Sequence, residues 1–391
     1  MRTAHIITRL IIGGAQENTL FNVDDQHHLH GDDVCLMTGP GLGPEGTLEQ
    51  RARDRGLDLR LIPEMRRSLH PWRDIQCYRT LRRMLQEYQP DIVHTHSSKA
   101  GILGRRAAWS LGLPCVHSIH GAAFHTGQPA VLFKAYQWAE RIADRWCQHF
   151  ITVCDAMTRQ YLAAGIGTPE KFTTVYSGMD VDHFLTPSRP REELRKELGL
   201  TDDHVVVGKV ARLFNLKGHQ YLIEAAPEIV RRMPQVRFLL VGDGILKDQF
   251  QARIAELGLT QNFVFAGLVP PELVGTYIHA MDLLVHTSVW EGLARVLPQA
   301  LICGRPVISY DIDGAAEVCI NNQTGILLPP ESIEQLSEAV VRLAGDPELR
   351  KRLGTNGRLQ MTDRFRHQSM TEQIRQVYEN VLQQFPARTR R

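Results

Sequence analysis

Two cationic residues follow the apolar stretch Val205–Val210, which has the composition of a buried strand. Arg212 lies just beyond the end of this stretch, and Lys217 follows a few positions later, next to Gly218. Arginine offers a bidentate fork and lysine a mobile point charge, and both suit the oxygens of a diphosphate. The pattern predicts a diphosphate-binding loop. The alternative is a pair of ordinary surface cations.

A carboxylate and an amide follow a short polar segment in the second half of the chain. The tripeptide His286–Ser288 leads to Glu291, Gly292 and Leu293, and Gln299 comes eight residues after Glu291. Eight residues correspond to about two helical turns, so we expect the two side chains on the same face of one helix. There they could bracket a sugar and a ribose.

Glycine-rich turns also follow predicted strands. Gly13 and Gly14 come after the strand His5–Thr8 and before a helix, where the helix N-terminus attracts anions. This is not the GxGxxG sequence of dinucleotide-binding proteins. A literal GxGxxG does occur, but it contains a proline and is interpreted as a loop. Its glycines are Gly41, Gly43 and Gly46.

Two further turns fall in the second half of the chain. Gly242 ends the predicted strand Val236–Val241, and we expect its turn to contact a ligand. Asp311 and Asp313 form a DxD pattern that a metal–diphosphate site could use. Because Gly314 follows at once, an anion-binding turn is the preferred interpretation.

Histidines provide a candidate for proton transfer and a candidate for metal binding. His120 follows the predicted strand Pro114–Ser118, where it could hydrogen-bond a sugar hydroxyl, shuttle a proton, or merely pack. His94 and His96 form a close pair, and a second group consists of His27, His28 and His30. Neither group has a third partner at metal-ligand spacing, so we expect no metal.

Short apolar runs alternate with amphipathic stretches, and this alternation predicts parallel sheets covered on both faces. One such stretch is the predicted helix Arg73–Tyr88, whose expected apolar face consists of Ile75, Tyr78, Leu81, Leu85 and Tyr88. The fold class is therefore α/β, with two Rossmann-like, doubly wound domains facing a central cleft where ligands bind. The predicted strands are His5–Thr8, Val34–Thr38, Asp91–His94, Pro114–Ser118, His149–Val153, Phe172–Tyr176, Val205–Val210, Val236–Val241, Phe263–Ala266, Leu283–His286 and Pro306–Tyr310.

The polar stretch Thr186–Pro190 marks the predicted domain boundary, and a charged helix, Arg191–Leu200, follows it. The first domain, residues 1–187, is expected to bind an acceptor, and the second, residues 188–365, a nucleotide sugar. A last helix, Arg366–Gln384, lies in residues 366–391 and could pack back on the first domain. The tail Pro386–Arg391 is expected to fray.

Composition excludes several classes of protein. The net charge of +2 in 391 residues argues against a nucleic-acid binder driven by bulk electrostatics. Seven scattered cysteines without a CxxC pair fit buried free thiols in a reducing cytosol. Arg9 interrupts the first apolar run, so it does not match a signal peptide, and we expect no membrane span and a cytoplasmic protein.

Arginine is concentrated in one stretch of the first half. Ten arginines lie between Arg51 and Arg83, a density that suits an anionic membrane or a phosphorylated acceptor, with a solvated helix face as the alternative. They are Arg51, Arg53, Arg55, Arg60, Arg66, Arg67, Arg73, Arg79, Arg82 and Arg83.

Taken together, these motifs resemble family 4 of the glycosyltransferases, retaining enzymes of the GT-B fold. The resemblance covers nearly the whole chain, and its specificity lies in the order and spacing of many short motifs. These are GGAQ near the start, VHTHSSKAG at 93–101, SIHG at 118–121, ITVCDAM at 151–157, VYSGMDVDHF at 175–184, VARLFNLKG at 210–218, VGDG at 241–244, HTSVWEG at 286–292, GRPVISYDIDGAAEV at 304–318 and TGILLPP at 324–330.

The resemblance implies transfer of a hexose from a nucleotide diphosphate sugar, with a UDP-sugar as the expected donor and no cofactor. The acceptor would be a saccharide or a lipid-linked molecule of envelope or exopolysaccharide synthesis. Arg212 and Lys217 would stabilise the leaving diphosphate in place of a metal. His120 would orient the donor sugar, and backbone N–H groups near Gly14 and Gly314 would add donors.

The family's Glu-x7-Glu motif is only half present. Glu291 matches the first Glu, which touches the donor sugar and acceptor, whereas Gln299 replaces the second, which holds the ribose. Glutamine keeps an acceptor oxygen and adds a donor, so the ribose contact can survive. Ala294 also stands where the family often has Gly. Two alternatives remain open: a catalytically silent sugar-nucleotide-binding assembly protein, and a sugar-nucleotide epimerase of the same fold.

Overall fold

The computed structural model describes residues 1–42, 46–124 and 127–385. Gly43 of the GxGxxG pattern and the tail Pro386–Arg391 lie outside the described residues. Within them the chain forms two compact units. The first consists of Met1–Met179 together with the residues from Phe365 onward, and the second is Asp180–Arg364.

The chain enters the second unit at Asp180, whereas the sequence analysis placed the boundary after residue 187. The residues in question bond to the second unit. The carbonyl of Phe184 accepts a hydrogen bond from His279 Nε2 at 2.8 Å, and the backbone N–H of Ser188 donates to Thr276 Oγ1 at 3.0 Å. These bonds fix the connecting segment to the second unit ahead of its first strand.

The first unit is built on a sheet of seven parallel strands in the order β3-β2-β1-β4-β5-β6-β7. The strands are β1 (Arg2–Arg9), β2 (Asp33–Gly39), β3 (Asp58–Leu61), β4 (Ile92–His96), β5 (Cys115–Ile119), β6 (His149–Thr152) and β7 (Phe172–Thr174). The helices of this part of the chain are α1 (Gly14–His28), α2 (Glu49–Asp54), α3 (Pro71–Tyr88), α4 (Ser98–Ser110), α5 (Ala130–Asp144) and α6 (Asp155–Ala163).

The second unit is built on six parallel strands in the order β10-β9-β8-β11-β12-β13. The strands are β8 (Val205–Val210), β9 (Val236–Val241), β10 (Phe263–Gly267), β11 (Leu283–His286), β12 (Val307–Tyr310) and β13 (Gly325–Leu328). The helices are α7 (Asp182–Leu185), α8 (Arg191–Glu197), α9 (His219–Arg232), α10 (Lys247–Glu256), α11 (Val274–Ala280), α12 (Val296–Ile302), α13 (Ile333–Gly345) and α14 (Pro347–Met361).

Each strand predicted from the sequence is present, with its ends within three residues of the prediction. Two short edge strands were missed. Strand β3 alternates charged and apolar residues, and β13 begins at Gly325, where a Cβ would lie 2.1 Å from the carbonyl oxygen of Val307. Edge strands pair on one side only, so their sequences carry a weaker apolar signal than central strands.

The predicted apolar face of α3 is only partly correct. Leu81 and Leu85 are buried against the sheet, but Ile75 is exposed and Cys77 takes a buried position on this helix. The helix begins at Pro71 with His70 as its N-cap, whose side chain accepts from the backbone N–H of Arg73. The buried stripe therefore includes Cys77 and excludes Ile75, in contrast to the predicted face.

The last helix, α15 (His367–Gln384), belongs to the first unit. Its buried residues, including Ile374 and Tyr378, pack with Ile92 of β4 and Val116 of β5. Polar contacts with α1 add to this packing, because Thr371 Oγ1 donates to Asp25 Oδ2 at 2.9 Å. The helix thus forms part of the hydrophobic core of that unit.

The prediction of buried free thiols is confirmed, since all seven cysteines are buried and free. They are Cys35, Cys77, Cys115, Cys147, Cys154, Cys303 and Cys319. Among the helices of the described ranges, none combines the length and the apolar character needed to cross a bilayer.

Candidate functional site

The loops that follow β8 and β11 meet through an ion pair at the carboxyl edge of the second sheet. Lys217 Nζ contacts Glu291 Oε1, and both side chains are about one-fifth exposed. His286, at the end of β11, is buried with its Nε2 4.0 Å from the same carboxylate oxygen. Burial lowers the pKa of His286 well below its usual range, so this ring stays neutral. The structure thus joins two of the predicted site residues.

Gly218 fixes the approach of these two loops. Its backbone is left-handed, with φ of 65°, and a Cβ built there would lie 1.8 Å from the carbonyl oxygen of Thr287. Thr287 Oγ1 in turn donates to the carbonyl of Gly218 at 2.6 Å. Only glycine meets both demands, because other residues pay for the left-handed conformation and have no room. Lys217 is therefore presented by a turn that depends on its neighbour.

A third cation, Lys209, lies near the ion pair of Lys217 and Glu291 and was not predicted from the sequence. Lys209 is buried within β8 and donates from Nζ to Thr287 Oγ1 at 2.9 Å. Burial, and then the charge of Lys217, lower the pKa of Lys209 to about 7. The available signal was a lysine inside an otherwise apolar strand, VVVGKV. A buried amine of this kind adds positive potential near neutral pH.

The backbone of the Glu291 loop is anchored by the second residue of the DxD pattern. Asp313 Oδ2 accepts from the backbone N–H of Glu291 at 2.8 Å, and the N–H of Gly314 donates to the carbonyl of Gly292 at 3.1 Å. Burial, opposed by that hydrogen bond and aided by Glu291, raises the pKa of Asp313. Asp313 and Gly314 therefore hydrogen-bond the turn after β12 to the loop that contains Glu291 and Gly292.

The expected helix face shared by Glu291 and Gln299 is wrong. Helix α12 begins only at Val296, so Glu291, Gly292 and Leu293 lie in the loop before it, whereas Gln299 lies inside it. Helical spacing does not apply across a loop. Gln299 is half-buried, and its backbone N–H donates to the carbonyl of Arg295 at 3.1 Å.

Gly242 and Arg212 lie on adjacent turns. Gly242 has φ of 133°, and a Cβ there would lie 2.2 Å from the carbonyl oxygen of Ala211. Arg212 is exposed, with its guanidinium carbon 4.9 Å from the ring centroid of Phe214. The close backbone packing lets the arginine loop sit against the β9 turn, and the Phe214 ring supports the guanidinium.

The remaining predicted residues, Gly13, Gly14 and His120, lie in the first unit. Gly13 is the N-cap of α1, and Gly14 is its first residue. Ala15, which follows, shares with His120 the lining of a pocket of about 240 Å³ at the carboxyl edge of the sheet. The structure thus brings the start of α1 and His120 to one pocket, as the positions of both after parallel strands predict.

His94 and His96 do have a third partner, which the sequence analysis did not find. His5 of β1 lies beside β4, and the three rings place a nitrogen each within 4.8 Å of one another. All six ring nitrogens nonetheless have hydrogen-bond partners in protein side chains. The cluster is therefore satisfied by hydrogen bonds, and the expectation of no metal stays a prediction.

A second pocket, of about 360 Å³, also opens in the first unit. It contains three cations, Arg9, Arg67 and Lys99, and the exposed apolar side chain of Leu69. Glu140 lines both pockets and is held by Arg105, whose Nη2 donates to it at 2.7 Å in a fully buried pair. No local sequence pattern predicts this pair, because the partners lie 35 residues apart.

Two family models match the chain over most of its length. The model described as "Glycosyl transferases group 1" matches residues 190–360, and the model described as "Glycosyl transferase 4-like domain" matches residues 27–178. The first lies within the second structural unit and the second within the first.

Curated relatives extend this similarity. A UDP-Gal:alpha-D-GlcNAc-diphosphoundecaprenol alpha-1,3-galactosyltransferase from Escherichia coli is 28% identical, covering 97% of this chain and 96% of the relative. An alpha-D-kanosaminyltransferase from Streptomyces kanamyceticus is 28% identical, covering 74% of this chain and 77% of the relative.

Solved structures share the fold. HepE from Anabaena, crystallised with UDP, superposes with a TM-score of 0.83 at 21% identity, covering 97% of this chain and all of that chain. Sucrose-phosphate synthase from Thermosynechococcus elongatus gives a TM-score of 0.80 at 19% identity, with coverage of 98% and 100%. The predicted fold class, two parallel-sheet α/β domains of the GT-B type, is confirmed.

Proposed function

We propose that this chain, which belongs to family 4 of the glycosyltransferases, transfers a hexose from a UDP-sugar to a lipid-linked saccharide with retention of configuration. The observation that carries the proposal is the contact of Lys217 with Glu291 beside the Arg212 loop. It joins a diphosphate-binding cation to a sugar-binding carboxylate. The galactosyltransferase of E. coli, whose name specifies a UDP-sugar and a diphosphoundecaprenol acceptor, supports the choice of both substrates.

The cations of the second unit stabilise the leaving group. As the bond from the anomeric carbon to the diphosphate breaks, negative charge grows on the phosphate oxygens. Arg212 supplies two parallel donors, Lys217 a point charge, and Lys209 a buried charge behind them. These groups supply the charge that a divalent metal would otherwise contribute.

The carboxylate and the turns bind the rest of the donor. Glu291 contacts the transferred sugar, and the amide of Gln299 binds the ribose. Backbone N–H groups at Gly292 and Leu293 add donors for anionic oxygens, and Gly242 allows the ligand to approach the main chain. Contrary to expectation, the N–H of Gly314 is not such a donor, because it is bonded to the carbonyl of Gly292. In the first unit, Gly13 and Gly14 contribute backbone donors at the start of α1, and His120 orients the donor sugar.

The transfer occurs on one face of the sugar. The acceptor oxygen forms its bond to the anomeric carbon on the face from which the diphosphate departs, and the acceptor proton passes to an oxygen of the leaving phosphate. Electrons and protons balance without a protein nucleophile. Carboxylates and histidines then serve to bind and orient the reactants.

The acceptor is anionic and attached to lipid. The pocket contains Arg9 and Arg67, which can donate to phosphate oxygens, and Lys99, whose ammonium is paired with Asp74. Leu69 at its edge is 76% exposed. Trp72, 75% exposed, follows within the arginine-rich stretch. Apolar side chains beside cations suit the headgroup region of an anionic bilayer, so we place the protein at the cytoplasmic membrane surface.

The donor is tested by thermal shift with UDP-, GDP- and ADP-sugars, using the intact chain and Lys217→Gln. We expect UDP-sugars alone to raise the melting temperature, and the shift to shrink in the variant, because only the folded state binds. Product made with a lipid diphosphate saccharide should have the anomeric configuration of the donor by NMR. Binding without transfer would favour the silent binding protein, and donor conversion without acceptor would favour the epimerase.

A further inference from the structure

A row of buried histidine rings leads from the interior of the first unit to His120. Gln26 Nε2 lies 3.2 Å from His5 Nε2, at the inner end of the row. His5 Nδ1 lies 3.0 Å from His96 Nε2, and His96 Nδ1 lies 3.1 Å from His120 Nε2. We call these four side chains, Gln26, His5, His96 and His120, the imidazole relay.

The orientation of Gln26 sets the direction of the first hydrogen bond. Its amide oxygen accepts from Thr3 Oγ1 at 2.9 Å, and its amide nitrogen donates to Asn22 Oδ1 at 2.9 Å. The same oxygen also lies 3.5 Å from His5 Nε2, but the amide nitrogen is closer, at 3.2 Å. In the shorter contact the second N–H of the amide donates to His5, so His5 accepts at Nε2.

The direction then passes along the relay, because a neutral imidazole carries a single N–H. His5 accepts at Nε2 and donates from Nδ1. His96 accepts that bond at Nε2 and donates from Nδ1 to His120 Nε2. The rings stay neutral since burial lowers the pKa of His5 to about 4 and the pKa of His96 well below its usual range.

We infer that the relay holds His120 as the tautomer protonated at Nδ1, so that His120 donates a hydrogen bond to the substrate and is not a general base. A base needs a free lone pair, but Nδ1 carries the proton and the lone pair of Nε2 is engaged by the N–H of His96. The tautomer follows from the hydrogen bonds between the neutral rings and does not depend on the proposed function. The donor role rests on the function proposed for His120, the orientation of the sugar, and decides between the two roles that its sequence left open.

His5 and His96 are accordingly positioning residues. They touch no reacting atom, yet a wrong tautomer of His120 would present an acceptor where the sugar needs a donor. His94 provides the natural comparison, because its ring centroid is only 4.1 Å from that of His96 but its nitrogens bond elsewhere. Its Nδ1 lies 2.5 Å from Tyr378 Oη and its Nε2 lies 2.7 Å from Ser118 Oγ.

The tautomer can be measured without any substrate. The full chain is labelled with 15N in its histidine rings, and long-range proton–nitrogen correlation spectra distinguish the two neutral tautomers. The signals of His120 are assigned by their loss in His120→Gln. We expect protonation at Nδ1 in the wild type, and a ring protonated at Nε2 would overturn the inference.

A substitution of Gln26, at the inner end of the relay, tests whether it sets the direction of the hydrogen bonds as far as His120. Gln26→Glu keeps the shape but replaces the donor with acceptors, so His5 must now donate from Nε2 and accept at Nδ1. Asn22 can turn to support it, because Asn22 Nδ2 has no hydrogen-bond partner in the described part of the chain. We expect His120 to switch to protonation at Nε2. An unchanged His120 tautomer would show that the relay does not set it.

Activity separates positioning from simple stability. His96→Leu removes both bonds and should lower kcat/KM by roughly 10- to 100-fold, the usual effect of losing an orienting partner. His96→Gln keeps an acceptor and a donor and should restore most of the loss, and His94→Gln is the matched control with the tautomer of His120 unchanged. Equal activity of the Leu and Gln variants would overturn the inference.

These measurements fail independently of the proposed function. If neither the wild type nor any variant transfers sugar, the proposed reaction is wrong. The spectra of the wild type and of Gln26→Glu still decide the tautomer of His120 in that case. If His96→Leu does not fold, those two spectra remain decisive.

Discussion

Lys217 and Glu291, 74 residues apart in sequence, form an ion pair across two loops of the second unit. Each loop has its own anchor, Gly218 against Thr287 for one and Asp313 for the other. The pair therefore joins two elements that are already held in place. Such preorganised charge stabilises a transition state without reorganisation at the moment of reaction.

Removing either loop cation should abolish most of the activity. We expect Lys217→Gln and Arg212→Gln to lower kcat by about 100-fold or more, as loss of one transition-state donor does elsewhere. Steady-state transfer with a UDP-sugar measures the change. Lys247→Gln is the control, since Lys247 lies in the same unit and pairs only loosely with Asp243 at 3.7 Å. Turnover near that of the wild type in both cation variants would contradict the assigned role.

Gly218→Ala should disrupt the turn that presents Lys217. The new Cβ would overlap the carbonyl of Thr287, so we expect a lower free energy of unfolding and a marked fall in kcat. Gly258→Ala is a matched control, because Gly258 also has a left-handed backbone, with φ of 71°, but nothing within 4 Å of a Cβ. The left-handed conformation destabilises both variants by about 1 kcal/mol, and only Gly218→Ala adds the clash. Equal denaturation curves would mean that the loops can separate without cost.

The buried histidines of the first unit should make stability fall in acid. Burial lowers the pKa of His5 to about 4 and that of His94, His96 and His117 well below 6.5. The unfolded chain takes up protons below about pH 6.5 while the native chain does not, so the free energy of unfolding decreases from pH 6.5 toward pH 4. Each group contributes up to about 1.4 kcal/mol per pH unit.

Denaturant unfolding at several pH values measures this slope. His94→Gln should reduce it, whereas His27→Gln, at an exposed position, serves as the control. A slope that His94→Gln does not change would show that His94 takes up its proton in the native state.

Strands could be predicted from the sequence where they are apolar along their whole length. Central parallel strands are apolar throughout and were found, as at Val236–Val241, whereas the edge strands β3 and β13 were not. Glu291 and Lys217 were found because they follow strands. The contact between them was not predicted, because it depends on the conformations of the two loops that follow β8 and β11.

Partners that are distant in sequence were also missed. His5 joins His96 only because β1 lies beside β4 in the sheet, an order that no local pattern states. The expected helix face shared by Glu291 and Gln299 was wrong for a related reason, because the helix starts at Val296 and leaves Glu291 in the loop before it. Sequence spacing was informative within an element and uninformative across a loop.

The arginine-rich stretch should bind anionic membranes. We expect the wild type to sediment with liposomes that contain anionic lipid at low salt and to be released as salt screens the attraction over about 10 Å at 0.1 M. The double variant Leu69→Ser with Trp72→Ser should bind more weakly, because both side chains are exposed and apolar. Leu359→Ser, at a similarly exposed position of the second unit, is the control. Equal binding to neutral and anionic liposomes would exclude the electrostatic contribution.

Transfer should proceed without a divalent metal. Lys209, Lys217 and Arg212 supply positive charge where the diphosphate leaves, and Asp313 is engaged by the backbone of Glu291. We expect EDTA to leave kcat unchanged in chelator-treated buffers. Activity lost on chelation and restored by magnesium or manganese would contradict this.

The return of α15 to the first unit determines the order in which the nascent chain can fold. The strand that carries His94 emerges from the ribosome well before Tyr378, which contacts it and follows it by 284 residues. The second unit is continuous in sequence and complete before α15 appears. It can therefore fold during translation, while the amino-terminal portion waits with part of its core uncovered until α15 has been synthesised.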